Sequence, residues 1–122
     1  MSGLKARKKI PIPKKNKFNA RKAQYNGDIY DSEKERNYAR TLDIKRKAKG
    51  NDKVLEVSRQ VPFDIRVNDI HIAKYILDFK VTYPNRVEHI DVKGYKKGAA
   101  YQNFRLKKKL VEAIYGIVVI EV

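Results

Sequence analysis

A chain of 122 residues with 29 lysines and arginines against 14 acidic residues has a net charge of +15 and a pI of about 10.0. Such a chain calls for a polyanionic partner, with nucleic acid first. The absence of cysteine excludes disulfide frameworks, thiolate metal centres and cysteine nucleophiles, and two histidines with no close pair, His71 and His89, argue against an imidazole metal site. Any metal here is a hard cation on oxygen ligands.

The length suits one compact domain. No apolar run approaches the roughly 18 residues of a spanning helix, and no signal-peptide pattern opens the chain. The expectation is a soluble, cytoplasmic protein without membrane contact.

The first 27 residues carry nine basic residues and no acid, with Pro11 and Pro13 interrupting any regular element. Residues 1–21 read as a flexible basic arm and residues 22–122 as one domain. Lys8, Lys9, Lys14 and Lys15 in the arm are candidate contacts to nucleic acid, although such a run also serves as a solubilising tail. Asn26-Gly27 between two short alternating runs predicts a tight hairpin. A helix is expected from Ser32 to about Lys47, with Asp31 or Ser32 as N-cap and Gly50 just beyond.

The segments VLEVSRQVPFDI, HIAKYILDFKV and RVEHIDVKG read as three strands, with Pro62 marking an edge or a bend in the first. A second helix is expected from about Ala100 to Tyr115, stopped by Gly116 and feeding a closing strand, IVVIEV. The sum is an α/β fold, a mixed sheet flanked by helices.

Chemistry-bearing residues sit inside these elements. Tyr83-Pro84-Asn85-Arg86 suits a type I turn, and a symmetric turn there fixes partner numbers to a constant sum, putting Asp78 opposite Asp91. Directly opposed side chains lie about 4.5–5.5 Å apart at Cβ, where like charges are destabilising. A divalent cation would relieve the repulsion, since Mg²⁺ is held by one or two carboxylates with water and phosphate oxygens. Lys93 stands two residues beyond Asp91 on the same face, fit to assist an attacking water and to stabilise charge developing on phosphorus. A surface ion pair between Asp91 and Lys93 is the plainer reading.

Glu35 falls in the helical stripe Glu35, Tyr38, Ala39 and Leu42, where a carboxylate requires a partner. Ser32-x-x-Glu35 is also a capping box, so Glu35 is either a site ligand, a cap, or both. On the second helix Tyr101, Phe104, Val111, Ile114 and Tyr115 make the apolar side, yet at about 100° per residue Lys107 falls between Ile114 and Val111, and Lys108 between Tyr115 and Tyr101. One of them faces the sheet, either snorkelling or meeting a phosphate. Lys96 and Lys97 are further candidate phosphate contacts.

The stretches YDSEKER, QVPF, ILDF, IDVKG and FRLKKKL, in that order, resemble the PD-(D/E)XK nuclease superfamily. They are most similar to its small phage-encoded members of unknown function, over about Tyr25 to Val122. The resemblance departs at Leu77, where the name-giving proline would stand, and at Asp91, where many members carry Glu. It implies an αβββαβ core and Mg²⁺ or Mn²⁺ held by Asp78 and Asp91, with Glu35 and the Val92 carbonyl as further ligands and Lys93 as catalytic lysine. The implied activity is a metal-dependent DNA endonuclease acting on branched recombination or replication intermediates, as a homodimer, in the host cytoplasm if phage-encoded. The alternative is a non-catalytic basic nucleic-acid-binding protein of ribosomal or replication-accessory type. That reading explains the charge and the eight tyrosines, but not carboxylates set within strands.

Overall fold

The computed structural model describes residues 22–94 and 96–122. The basic arm, with Lys8, Lys9, Lys14 and Lys15, lies outside the described residues. The chain groups into two compact units, Met1–Asn37 and Tyr38–Val122.

In the first unit, β1 (Ala23–Tyr25) pairs antiparallel with β2 (Asp28–Tyr30). Asn26 and Gly27 both take positive φ, 52° and 83°, as a type I′ hairpin turn requires. Helix α1 (Glu33–Lys45) follows, one residue later at its start and two residues shorter at its end than expected. Its cap is built from Ser32, whose Oγ accepts the Glu35 N–H at 3.1 Å. Glu35 Oε1 in turn accepts the N–H of Asp31 at 3.2 Å, one residue before the N-cap rather than on it. The capping reading of Glu35 therefore holds in this modified form.

The second unit takes α1 from Tyr38 onward and adds a four-stranded mixed sheet in the order β3-β4-β5-β6. The strands are β3 (Glu56–Val67), β4 (Ile70–Tyr83), β5 (Arg86–Asp91) and β6 (Val119–Glu121), with α2 (Gly98–Tyr115) between the last two. From α1 onward the order is αβββαβ, an α/β fold with a mixed sheet. The pairs β3–β4 and β4–β5 are antiparallel and β5–β6 is parallel. Pro62 lies in the edge strand β3, where its missing N–H costs no ladder bond.

Alternation along β4 buries Tyr75, Leu77, Phe79, Val81 and Tyr83. The Tyr38 ring lies 5.4 Å from Phe79, and Leu42 is buried one turn further along α1. Toward the other end, Ile65, Tyr75, Leu77, Val111 and Val119 form one buried cluster, with Phe104 and Leu110 of α2 packed against it. Ile114 and Tyr115 were expected on the apolar side of α2, yet both are exposed, because the helix meets the cluster through Phe104, Leu110 and Val111 instead. Tyr115 still sets its ring edge-on to Phe63 at 5.0 Å and donates its hydroxyl to the Asp64 carbonyl.

The long β3–β4 hairpin bends. Phe63 shares a row with Tyr75, and His89 shares one with Lys80, five residues further along β4. Straight strands would separate those rows by roughly 16 Å, but the two rings are 6.2 Å apart. Between the rows stands Gln60, the one position skipped in an otherwise regular stretch of pairing, with φ at 52°.

Gly116 ends α2 at φ 68°, its N–H bonded to the Glu112 carbonyl, while Glu112 Oε2 accepts the Val119 N–H at 2.8 Å and so starts β6. Replacing Gly116 by Ala puts a Cβ into left-handed backbone and should lower unfolding stability by about 1 kcal/mol. Asn at that position should lose about half as much, and urea denaturation of the two variants reads the difference.

Candidate functional site

The β4–β5 pairs run from Tyr83↔Arg86 to Phe79↔Ile90 at a constant sum, as the Pro84-Asn85 turn implies. One step further the ladder stops, at Asp78 and Asp91. There each carboxylate takes a backbone N–H from the opposite strand. Asp78 N–H donates to Asp91 Oδ1 at 3.0 Å, and Val92 N–H donates to Asp78 Oδ2 at 2.9 Å. The carbonyl of Asp91 is turned to the other neighbour, where it accepts the Val122 N–H.

The two acids differ in environment. Asp91 is 2 % exposed, and its Oδ2 is buried with no hydrogen-bond partner. Asp78 is half-buried. A buried carboxylate oxygen without a donor carries a desolvation cost that only a proton or a cation offsets. Accordingly burial pushes the pKa of Asp91 up to about 6. The Asp78 N–H bond and the Lys93 ammonium oppose that rise, Glu121 adds to it, and Lys108 opposes it.

Lys93 is half-buried, its ammonium 3.9 Å from the centroid of the Phe104 ring on α2. A cation over an aromatic face is attracted by the ring quadrupole, which helps to hold it in place. Lys108 is the second-helix lysine that turns to the sheet, with Nζ 3.1 Å from Glu121 Oε2. Lys107 reaches instead the Lys74 carbonyl at 3.4 Å. Lys96 and Lys97 are exposed just before α2.

Asp78, Asp91 and Lys93 thus come together in the second unit, joined by Lys108. Glu35 belongs to the first unit, where it is buried and bonded as described. The sequence reading missed Glu121. It is the lateral partner of Asp91 in the parallel β5–β6 ladder, and Tyr101 donates its hydroxyl to Glu121 Oε1 at 2.8 Å. The signal was present as one acid in the apolar closing strand, the same kind of oddity that marks Asp78 and Asp91.

Among the described residues no group of three or more His, Cys, Asp or Glu side chains is arranged to hold a metal ion. Two carboxylates are what the crossing offers, a number that suits Mg²⁺, which completes its shell with water and phosphate. The orphan Oδ2 of Asp91 fits such an ion. No helix among the described residues is long and apolar enough to cross a membrane.

The raised pKa of Asp91 makes stability depend on pH. Its folded value exceeds the unfolded one, so its contribution to stability is full below about pH 4 and is lost as pH rises through about 6, by at most about 3 kcal/mol. Urea midpoints in EDTA should therefore fall between pH 4 and pH 8 in the parent protein. Asp91→Asn keeps an acceptor for the Asp78 N–H and should flatten that fall, unfolding at higher urea than the parent at pH 8.

No curated protein and no solved structure matches the chain. The model of one family matches residues 15–121, a span that holds every carboxylate and lysine of this crossing. The chain belongs to that family, described as protein of unknown function (DUF1064).

Proposed function

We propose that this protein is a metal-dependent DNA endonuclease that hydrolyses phosphodiester bonds with the residues of the Asp78–Asp91 crossing. The observation that carries the reading is Asp91, a buried carboxylate with one oxygen lacking a donor, facing a second carboxylate across the end of the ladder. A protein does not retain such a charge for stability, because replacing it with a neutral group is favourable unless a cation enters. The αβββαβ order and the placing of the two acids and Lys93 also agree with the resemblance to the PD-(D/E)XK superfamily.

In this reading Asp78 and Asp91 hold Mg²⁺ or Mn²⁺, with the Val92 carbonyl as a further donor. When bound, the cation supplies Lewis-acid polarisation of the phosphate and lowers the pKa of water at the site. Lys93, kept charged and partly desolvated on Phe104, orients the attacking water and stabilises the charge that develops on the phosphate oxygens. The water oxygen forms the new bond to phosphorus and gives up one proton to solvent, the bond to the leaving sugar oxygen breaks, and that oxygen takes up a proton from solvent.

Lys96, Lys97 and Lys107 lie outside the carboxylate network and neutralise flanking phosphates, as do Lys8, Lys9, Lys14 and Lys15 of the arm. Lys108 divides its charge between the site and Glu121. Glu35 enters as a ligand on the resemblance alone. A preference for branched DNA, action as a homodimer and work in a host cytoplasm rest on the same resemblance.

Supercoiled plasmid and synthetic four-way, flap and linear duplexes, incubated with Mg²⁺, Mn²⁺ or EDTA, test the reading. Cutting is expected with either cation and not with EDTA, and a fall of at least about 100-fold is expected in Asp91→Ala and in Lys93→Ala. DNA left intact under every condition, with mobility shifts that survive both substitutions, would leave a binding protein and no enzyme. Deleting residues 1–17 should weaken DNA binding and flatten its dependence on salt while metal-dependent cutting persists. A truncated chain that binds as tightly as the full one refutes the role given to the arm.

A further inference from the structure

The Asp78–Asp91 crossing holds more charge than its two facing acids. Glu121 sits beside Asp91 on the neighbouring parallel strand, where adjacent strands run about 4.8 Å apart. Its carboxylate is not free to swing away, for Tyr101 holds Oε1 at 2.8 Å and Lys108 holds Oε2 at 3.1 Å. Both donors stand on α2, seven residues apart and so on one face of the helix, with Phe104 between them carrying Lys93. Glu121 and Lys108 are only 16 % and 22 % exposed, which shields the pair from screening by salt.

Three carboxylates, those of Asp78, Asp91 and Glu121, therefore face two ammonium groups, Lys93 and Lys108. These acids are half-sealed inside a chain whose net charge is +15. A buried carboxylate oxygen without a donor attracts a cation, and Oδ2 of Asp91 is such an oxygen. The carboxylate of Glu121 is already taken by its two donors, so its part is charge rather than coordination.

We infer that Glu121 is the outer carboxylate of this cation site, raising divalent-ion affinity through its fixed charge while Lys108 tempers it. The inference rests on the reading of Asp78 and Asp91 as cation ligands. It makes Glu121 and Tyr101 positioning residues, not catalytic ones. Groups of this kind around a metal commonly alter its affinity 10- to 100-fold.

Calorimetric titration of Mn²⁺ into metal-free protein, without DNA, gives a readout separate from activity. Glu121→Gln should bind Mn²⁺ about tenfold more weakly, and Glu121→Asp, which keeps the charge, should recover most of the loss. Lys108→Met should bind severalfold more tightly. The opposite signs are the decisive feature, because a packing defect weakens binding in both variants; thermal unfolding in EDTA reports the fold of each. Equal affinity in Glu121→Gln and the parent, or weakening in Lys108→Met, overturns the inference. Mn²⁺ binding that is undiminished by Asp91→Asn, or absent from the parent protein, overturns the ligand reading and this inference with it.

Discussion

Two backbone-to-carboxylate bonds, from the Asp78 N–H to Asp91 and from the Val92 N–H to Asp78, govern the organisation of the second unit. Two like charges on one row of a sheet repel, and the repulsion is tolerated here because each carboxylate receives an N–H from the opposite strand. The exchange ends the β4–β5 ladder, since the Asp78 N–H that would seek a main-chain carbonyl goes to a side chain. On the other side the Asp91 carbonyl bonds the Val122 N–H, and the sheet continues to β6. A local substitution of acceptors thus ends one pairing and leaves one carboxylate oxygen buried without a donor.

Helix α2 supplies the other half of the arrangement. Its Tyr101, Phe104 and Lys108 address the site, and Val111, Leu110 and Phe104 again address the apolar cluster. Phe104 serves both, as ring neighbour of Tyr75 at 6.1 Å and as the surface under Lys93. Packing and electrostatics are therefore coupled through one side chain. A helix anchored in the cluster by close-packed side chains has little freedom to slide, and that rigidity fixes two ammonium groups relative to two strands.

Much of this was legible in the sequence because it depends on short-range rules. The Pro84-Asn85 turn set the β4–β5 register, Asn26-Gly27 set the first hairpin, and the glycine at 116 set the end of α2. The proximity of Asp78 and Asp91 followed from counting residues back from a turn. The remainder depends on tertiary packing that no local rule encodes. The bend of the hairpin near Gln60 brings Phe63 to His89, and it decides which part of α2 is covered, so that Ile114 and Tyr115 stay exposed despite lying on the apolar stripe. The choice of Lys108 over Lys107 turns on the position of Glu121, whose partnership with Asp91 arises only when a parallel strand is added from across a helix.

That crossover carries a kinetic consequence. Asp78 and Asp91 are 13 residues apart and joined by a two-residue turn, so the meander that brings them together is local and quick to form. Lys108 and Glu121 reach the same place only after α2 has formed and docked and β6 has paired in parallel beyond it. The two facing acids meet first, and Lys108 and Glu121 join them later. A nascent meander therefore already holds both acids with the N–H groups and the Lys93 ammonium that oppose their repulsion, and the docking of α2 seals the cluster rather than creating it.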